Sequence, residues 1–287
     1  AQAGWVSGRM GQAAAEGVVR TEGDRDPDRP IDRFEKPGVF TSALEEALRE
    51  GRADLAVHSL KDLPVEGPPD LAILAIPPRE DPRDLWIARG GASWRDLPAG
   101  GRVGTGSPRR AAQLASLRPD LACEPVRGNL GTRLAKLDAR EVDALVVASA
   151  GVNRLGLVLP RALPLDPAVM VPAPGQGALA VQCRAADLAR FAALRHRLHD
   201  PATARCVGLE RALLAALGGG CRMAMGALAD KDEGGRLRMR AFLQEEGRPP
   251  RRVESKVDSE FPARRMDAER TEREDGEMVE RLAKSLR

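Results

Sequence analysis

The 287-residue sequence predicts an α/β protein with mostly parallel sheets, followed by a small α+β domain at the C-terminal end. Two observations favour the α/β part. Short apolar runs alternate with helical patterns, and a glycine-bearing turn separates each run from the helix that follows. The third observation is that this alternation stops near Asp200, where an amphipathic helix is followed by two further strands and a charged tail.

The composition allows a large core and limits the possible functions. Hydrophobic residues make up 43% of the chain, which is enough for two or three domains. The 45 basic and 42 acidic side chains nearly balance, and only 3% of the residues are aromatic. A nucleic-acid-binding protein is therefore disfavoured, because overall attraction and stacking platforms are both weak. No membrane span or signal peptide is visible.

The cysteines indicate reduced thiols. Cys123, Cys183, Cys206 and Cys221 are scattered, without a CxxC or a His-paired spacing. We therefore expect a cytoplasmic protein with no metal site.

The first part of the chain is expected to lead from a loop into regular structure. The predicted elements are a helix over 1–16, a charged loop over 20–37, a helix over 41–51, and strands over 53–60 and 71–77. The helix after the loop has Thr41 as a candidate N-cap and Gly51 at its end. The strands are largely apolar, as in a sheet covered on both faces.

Three strand–turn–helix units follow. Their sequences are RVGTGSPRRAAQLASLRPD (102–120), LACEPVRGNLGTRLAKLDARE (121–141) and VDALVVASAGVNRLG (142–156). Five prolines between 160 and 174 predict an extended crossing segment, and GALAVQCR predicts a further strand over 177–184. The last domain is expected to hold a helix over 200–217, strands over 223–230 and 236–243, and a helix over 275–286.

The glycine turns of these units suit an anion. A helix that opens after a glycine turn presents free backbone N–H groups and the positive end of its dipole. Thr105, Ser107, Arg109 and Arg110 surround the first turn, while Arg127 and Arg133 flank the second. Arg154 follows the third strand. Solvent-facing arginines beside ordinary turns are the alternative, but three similar turns favour a multiply anionic ligand. No turn matches a Walker or dinucleotide pattern.

Two further stretches carry candidate chemistry. In HSLKDLP, the residue types alone favour a surface ion pair between Lys61 and Asp62. The alternative is a cleft in which Lys61 grips a substrate and Asp62 donates a proton or stabilises a cation. His58 receives no role. In GGGCRMAMG, three glycines let a bulky group approach Cys221, which suits covalent attachment more than a buried structural thiol.

Taken together, these stretches resemble the hydroxymethylbilane synthase (porphobilinogen deaminase) family. The matching segments occur in the family's order and cover most of 34–229. They are AVHSLKDLP, GTGSPRR, RGNLGTRLAKLD, VVASAGVNRLG, VPAPGQGALAVQCR and GGGCRMAMGALA. The resemblance implies two periplasmic-binding-protein-like lobes, over 1–77 with 178–197 and over 83–172, and a small α+β domain over 200–287 that carries the cofactor cysteine.

The resemblance also implies a reaction. Four porphobilinogen molecules are joined head to tail with loss of ammonia, primed by one dipyrromethane cofactor held through a thioether on Cys221. Asp62 is then the catalytic carboxylate, which assists loss of ammonia and stabilises cationic intermediates. The implied cofactor-binding residues are Ser59, Lys61, Thr105, Ser107, Arg109, Arg110 and Arg133. The implied substrate-binding residues are Gln2, Arg127 and Arg154, with Phe40 at a lid position. A monomer without nucleic-acid or membrane partners is expected.

Two departures from the family pattern stand out. The family's first strand and its Arg- and Ser-bearing turn precede the residues that match around Gln2, and we expect that segment in the full gene product. Arg222-Met223-Ala224-Met225 replaces the usual Gln-Val-Pro-Ile, which we expect to alter local packing while permitting the thioether. A non-catalytic two-lobe binding protein for a small polyanion is the competing hypothesis, and it would leave Cys221 free.

Overall fold

Three separate sheets organise the chain in the computed structural model, which describes residues 1–11, 13–19, 41–219, 223–260 and 268–287. The helices are α1 (Gln2–Ser7), α2 (Ser42–Arg49), α3 (Pro108–Leu117), α4 (Leu130–Asp138), α5 (Ser149–Arg154), α6 (Ala192–Leu198), α7 (Pro201–Ala216) and α8 (Ala268–Leu286). The strands are β1 (Ala56–Ser59), β2 (Leu71–Ala75), β3 (Asp84–Ala88), β4 (Arg102–Gly104), β5 (Ala122–Glu124), β6 (Ala144–Ala148), β7 (Ala162–Pro164), β8 (Leu179–Arg184), β9 (Ala224–Lys231), β10 (Arg236–Gln244) and β11 (Arg251–Glu260).

The first sheet is built around β8. Its strand order is β1-β8-β2, and both pairings are antiparallel. One core cluster joins Leu74, Leu179 and Val181 of the sheet to Val6 of α1. A short 3₁₀ turn over Leu60–Asp62 follows β1 directly, so this sheet places the Lys61-Asp62 pair at the end of a strand.

The second sheet has five strands in the order β5-β4-β6-β3-β7. β4 pairs in parallel with β5 and β6, while β3 pairs antiparallel with β6 and β7. Trp86 lies fully buried in β3 and donates its indole N–H to the Ala92 carbonyl at 2.9 Å. The ends of β4 and β5 lead to the two arginine-bearing turns, which the parallel pairing sets side by side.

The third sheet is an antiparallel meander of β9, β10 and β11. Its core joins Met239 of β10 to Leu213 of α7 and Met278 of α8. Arg205 of α7 and Asp275 of α8 form an ion pair at 2.8 Å that ties the two helices together. This part is the small α+β unit that the sequence predicts.

The segments that connect the first two sheets contact each other closely. The Glu80 N–H donates to the Gly177 carbonyl at 3.1 Å. Gly177 has a φ of +85°, and a Cβ there would lie 2.4 Å from the Glu80 oxygen. Both features require glycine. The two connections, over 76–83 and 165–178, therefore form a crossing with a backbone-to-backbone contact; the second continues the proline-rich stretch of 160–174, part of which forms β7.

Several predictions about the elements need correction. The first helix ends at Ser7 instead of residue 16, because Gly8 and Gly11 interrupt a weak helical segment. The last helix begins at Ala268, before the predicted 275. The α/β lobes and the small C-terminal sheet are confirmed, but parallel pairing is confined to β4 and its two neighbours among the described strands. The domain boundaries stay a prediction.

Candidate functional site

The turn after β1 presents Lys61 and Asp62. Leu60 is fully buried and its N–H donates to the Ala178 carbonyl at 3.0 Å, which anchors the turn to the crossing segment. Lys61 and Asp62 keep contact with solvent, although protein surrounds both side chains closely enough to shift their pKa values. The turn therefore presents both side chains to solvent beside closely packed protein.

The environment moves both side chains toward their neutral forms. Removal of water by the surrounding protein raises the pKa of Asp62, and the charge of Lys61 opposes this shift. The same desolvation lowers the pKa of Lys61; Asp62 opposes it, while Arg110 and Arg109 reinforce it. Asp62 accepts no hydrogen bond from any residue that the structure describes. Asp62 therefore holds a proton at a higher pH than an ordinary aspartate does.

The first predicted anion turn has the expected geometry. Ser107 is the N-cap of α3 and accepts from the Arg110 N–H at 3.4 Å, with Pro108 as the first helical residue. The Thr105 hydroxyl oxygen accepts from the Ser107 N–H at 3.2 Å. Because both hydroxyl oxygens act as acceptors here, each O–H can still donate to a ligand.

Arg109 and Arg110 are held by an internal carboxylate that the sequence reasoning did not single out. Asp84, at the start of β3, is 0% exposed. It accepts from Arg109 Nη1 at 2.8 Å and from Arg110 Nη2 at 2.7 Å and Nε at 3.1 Å. Gln176 Nε2 donates a fourth hydrogen bond at 2.9 Å. The two guanidiniums thus keep one net positive charge, and their role toward a ligand stays a prediction.

The second turn adds more positive charge. Asn129 is the N-cap of α4 and accepts from the Thr132 N–H at 3.0 Å. Arg133 donates from Nε to the Gly128 carbonyl at 2.9 Å and forms no ion pair with any described residue. Desolvation lowers the pKa of Arg133, and the charges of Arg110 and Arg127 lower it further. These three guanidiniums therefore lie close enough to repel one another, which an anionic ligand would relieve.

Two of the other predicted residues take separate positions. Gln2 donates from Nε2 to the Ser59 hydroxyl at 2.7 Å, so α1 reaches the end of β1. Arg154 donates from Nη2 to the Gly177 carbonyl at 2.6 Å. Desolvation lowers the pKa of Arg154, opposed by the charge of Glu80. Gln2 thus joins the Lys61-Asp62 turn, whereas Arg154 lies at the crossing between the lobes.

Two predicted residues cannot be placed. Phe40 and Cys221 lie outside the described residues. Among the residues that are described, no group of three or more His, Cys, Asp or Glu side chains could hold a metal ion. In the same part of the chain, no helix is both long and apolar enough to cross a membrane.

A second buried carboxylate was also not predicted from the sequence. Glu210 of α7 is 0% exposed and pairs with Arg79 at 2.7 Å. It also accepts from the backbone N–H groups of Gly175 and Ala229. The sequence did contain a signal for both residues. Glu210 lies within an amphipathic helix and Asp84 begins an apolar strand. An acidic side chain in such a position is rarely buried unless it is paired.

The donor set fits a polycarboxylate cofactor. Lys61 and Arg133 have no ion-pair partner among the described residues, and the Thr105 and Ser107 hydroxyls sit at a helix N-terminus. Arg109 Nε is buried and has no hydrogen-bond partner in the described part of the molecule. Bidentate and charge-assisted donors of this kind match carboxylate groups.

Matches among solved structures are of low similarity. They include a Salmonella typhimurium periplasmic binding protein with high arginine specificity (16% identity, TM-score 0.34, covering 55% of this chain and 70% of that one). The aliphatic sulphonate binding protein of Escherichia coli also has 16% identity and a TM-score of 0.34, covering 60% of this chain and 56% of that one. The strand pairings, and not these scores, define the two lobes.

Curated relatives are far more similar. The porphobilinogen deaminases of Acidothermus cellulolyticus, Sorangium cellulosum and Nocardia farcinica are 54%, 47% and 49% identical to the chain. The matches cover 73%, 88% and 82% of this chain. They span 64%, 83% and 69% of the respective relatives, so the chain matches just under two thirds of the first one's length.

Two family models match in sequence order. The model described as porphobilinogen deaminase, dipyromethane cofactor binding domain, matches residues 1–191. The model of the porphobilinogen deaminase C-terminal domain matches residues 204–273. The first match covers more than half of the sequence and the second covers most of the α+β unit, so the chain belongs to the porphobilinogen deaminase family.

Proposed function

We propose that the chain joins four porphobilinogen molecules head to tail into hydroxymethylbilane, releasing one ammonia for each unit, with a dipyrromethane on Cys221 as primer. The observation that carries this proposal is the placement of Asp62. Its carboxyl group has a raised pKa, accepts no hydrogen bond from the described residues and lies within electrostatic range of Lys61. The arginine-bearing turns add the positive charge that a growing polycarboxylate needs.

The proposed binding step rests on charge. Each porphobilinogen carries an acetate and a propionate, so every added unit brings two carboxylates. Arg133 and Lys61 supply cationic donors, and Thr105 and Ser107 supply hydroxyl donors at the N-terminus of α3. These groups would hold a dipyrromethane by its carboxylates. When bound, the cofactor supplies the nucleophilic pyrrole carbon that starts the chain.

Asp62 is the proposed catalytic residue. In its protonated form it can donate to the amine of porphobilinogen as the C–N bond breaks, which lets ammonia leave. In its ionised form it can then stabilise the positive charge that develops on the pyrrole, because an anion close to a developing cation lowers the barrier. The raised pKa suits the first task, and the scarcity of competing partners suits the second.

Mass and activity measurements test this function on the purified protein. We expect an intact mass above that of the sequence by two porphobilinogen units less their ammonia, a colour with Ehrlich's reagent, and conversion of porphobilinogen to a linear tetrapyrrole. The Cys221→Ser variant is the control and should lack both the added mass and the product. Reversible binding of porphobilinogen with an unmodified Cys221 and no product would instead support the polyanion-binding protein.

We also propose that the enzyme acts as a monomer in the cytoplasm. Support for the compartment comes from Cys123, Cys183 and Cys206, which are free thiols in the described part of the chain, as is usual in a reducing environment. Sedimentation equilibrium at micromolar concentration tests the oligomeric state, and a mass twice that of the chain would contradict the proposed monomer. Fractionation of the source cells tests the compartment, and recovery outside the cytoplasmic fraction would contradict it.

A further inference from the structure

One arginine of the α+β unit contacts the turn that carries Asp62. Arg211 lies on α7, and its guanidinium donates to four backbone carbonyls of 60–65. Nη1 lies 3.5 Å from the Leu60 oxygen and 3.0 Å from the Leu63 oxygen. Nη2 lies 2.5 Å from the Pro64 oxygen and 3.1 Å from the Val65 oxygen. The residues contacted flank Asp62 on both sides.

Arg211 differs from its neighbours on the same helix in having only carbonyl partners. Arg205 pairs with Asp275, and Glu210 pairs with Arg79. Arg211 forms no ion pair with a described residue, and desolvation alone lowers its pKa. Its loss would leave no charge unpaired, so the cost to stability comes only from the four carbonyls that lose their donor.

The contact completes the support of the turn. On the upstream side, the Leu60 N–H is held by the Ala178 carbonyl at 3.0 Å, and the Leu63 N–H closes the turn on the Leu60 carbonyl at 3.2 Å. Downstream of Asp62, the carbonyls of 63–65 are held by Arg211. The planar guanidinium spans them as a rigid fork, which one ammonium cannot do.

The same helix leads toward the cofactor cysteine, which lies ten residues after Arg211 in the sequence. We infer that Arg211 is a positioning residue, which fixes the Asp62 turn against the helix that precedes Cys221 and so sets where the catalytic carboxylate stands relative to the bound chain. This inference rests on the proposed function. It assigns Arg211 no contact with the substrate.

Three variants of the loaded holoenzyme test the role. Arg211→Met keeps length and packing while removing the donors, Arg211→Lys keeps the charge and one donor group, and Arg205→Met is the matched control on the same helix. For each we would measure the melting temperature, the dipyrromethane content with Ehrlich's reagent, and kcat and KM for porphobilinogen per loaded cofactor.

We expect Arg211→Met to lose about 10- to 100-fold in kcat, because a displacement near 1 Å at a reacting group has effects of this size. Its KM should stay within about twofold, since the arginine-bearing turns are untouched. Arg211→Lys should recover part of kcat. Arg205→Met should lower the melting temperature while kcat per loaded cofactor stays within about twofold.

Three outcomes would overturn the inference. One is a kcat for Arg211→Met within about twofold of the parent. The second is a rise in KM for Arg211→Met with kcat unchanged. The third is a loss of kcat in Arg205→Met equal to that in Arg211→Met. Should Arg211→Met fail to fold, Arg211→Lys decides by the same criteria.

Hydrogen exchange separates this inference from the proposed function. A parent protein that makes no tetrapyrrole would refute the function, yet the amides of residues 61, 62, 63 and 65 can still be compared between parent and Arg211→Met. Faster exchange there, with unchanged exchange in β10, would support the positioning contact without reference to catalysis. Equal exchange would refute the contact even in an active enzyme.

Discussion

Asp62 and Asp84 are two aspartates whose environments shift their pKa values in opposite directions. Asp62 keeps contact with solvent, and desolvation by the surrounding protein raises its pKa. Asp84 is 0% exposed, so desolvation also raises its pKa. The charges and hydrogen bonds of Arg109 and Arg110 have the larger effect, however, and hold the pKa of Asp84 well below the usual range.

The difference shows that hydrogen-bond partners, more than depth, decide what a carboxylate can do. Asp84 accepts four hydrogen bonds from Arg109, Arg110 and Gln176, so it stays ionised and fixes their positions. Asp62 accepts none from the described residues, so its proton and its charge remain available for chemistry. Asp84 therefore has a structural role toward the two arginines, whereas Asp62 is available for the catalytic role proposed above.

The largest expected effect comes from Asp62→Asn, which keeps the size of the side chain but cannot ionise. We expect turnover of porphobilinogen to fall about 10²- to 10⁴-fold, the usual contribution of a positioned acid or base, while dipyrromethane content is retained. Single-turnover kinetics with Ehrlich's reagent measures both quantities. A variant with rates within tenfold of the parent would remove Asp62 from the central role.

Asp84→Asn should mainly change stability. It leaves two buried guanidiniums without their anion, and we expect the free energy of unfolding to fall by about 3–5 kcal/mol. Urea unfolding followed by tryptophan fluorescence measures this, because the fully buried Trp86 lies in the same lobe.

The control for Asp84→Asn is Asp54→Asn, which removes an exposed partner of Arg184 and Arg190. We expect that change to stay within about 0.5 kcal/mol. Equal effects of the two substitutions would contradict the contrast drawn between buried and exposed partners.

Arg133→Met should weaken anion binding by a smaller amount. Loss of one charge-assisted hydrogen-bonding group is worth about 1.5–3 kcal/mol, so we expect KM for porphobilinogen or the occupancy of dipyrromethane to change about 10- to 100-fold. Steady-state kinetics and cofactor content report the change. Lys136→Met, on the same helix, is the control and should stay within about twofold; an equal loss there would indicate a general effect of charge.

The smallest effect is a pH dependence of stability at Asp62. Because the folded-state pKa is raised, the folded protein binds this proton more tightly than the unfolded chain does. Stability is then lost as the pH rises from the ordinary aspartate value, about 4, through the raised pKa. Asp62→Asn should therefore melt at a higher temperature than the parent near neutral pH, with the gap closing below about pH 4. Calorimetry across this range measures the gap, and a constant difference would contradict the shift.

Local signals in the sequence were sufficient for much of the fold. Ser107 and Pro108 mark the start of α3, and the structure places the helix there. The apolar stretch before Lys61 predicts the strand that becomes β1. The predicted first helix is too long, because the high helix propensity of its alanines was given more weight than the interruption by Gly8 and Gly11. Antiparallel pairing around β8 was missed, since strand direction depends on partners more than a hundred residues away.

The candidate site was predictable only in part, for the same reason. Turn chemistry identified Thr105, Ser107 and Arg133 as a set of donors. The partner of Arg109 and Arg110, however, is Asp84, which lies 25 and 26 residues upstream at the start of β3, directly after a charged stretch. Residue types also favoured an ion pair between Lys61 and Asp62. The described structure contains no such ion pair, and their opposite pKa shifts come mainly from the surrounding protein.

The strand order of the first sheet dictates when the molecule can assemble during synthesis. β1 and β2 do not pair with each other; each pairs with β8, which ends at Arg184. Strands β3 to β7 are contiguous within 84–164 and need nothing from beyond that stretch to complete their sheet. The lobe that leaves the ribosome first is therefore completed second, and the turn bearing Asp62 gains its neighbouring strand only after the lobe that contains β3 to β7 has been made.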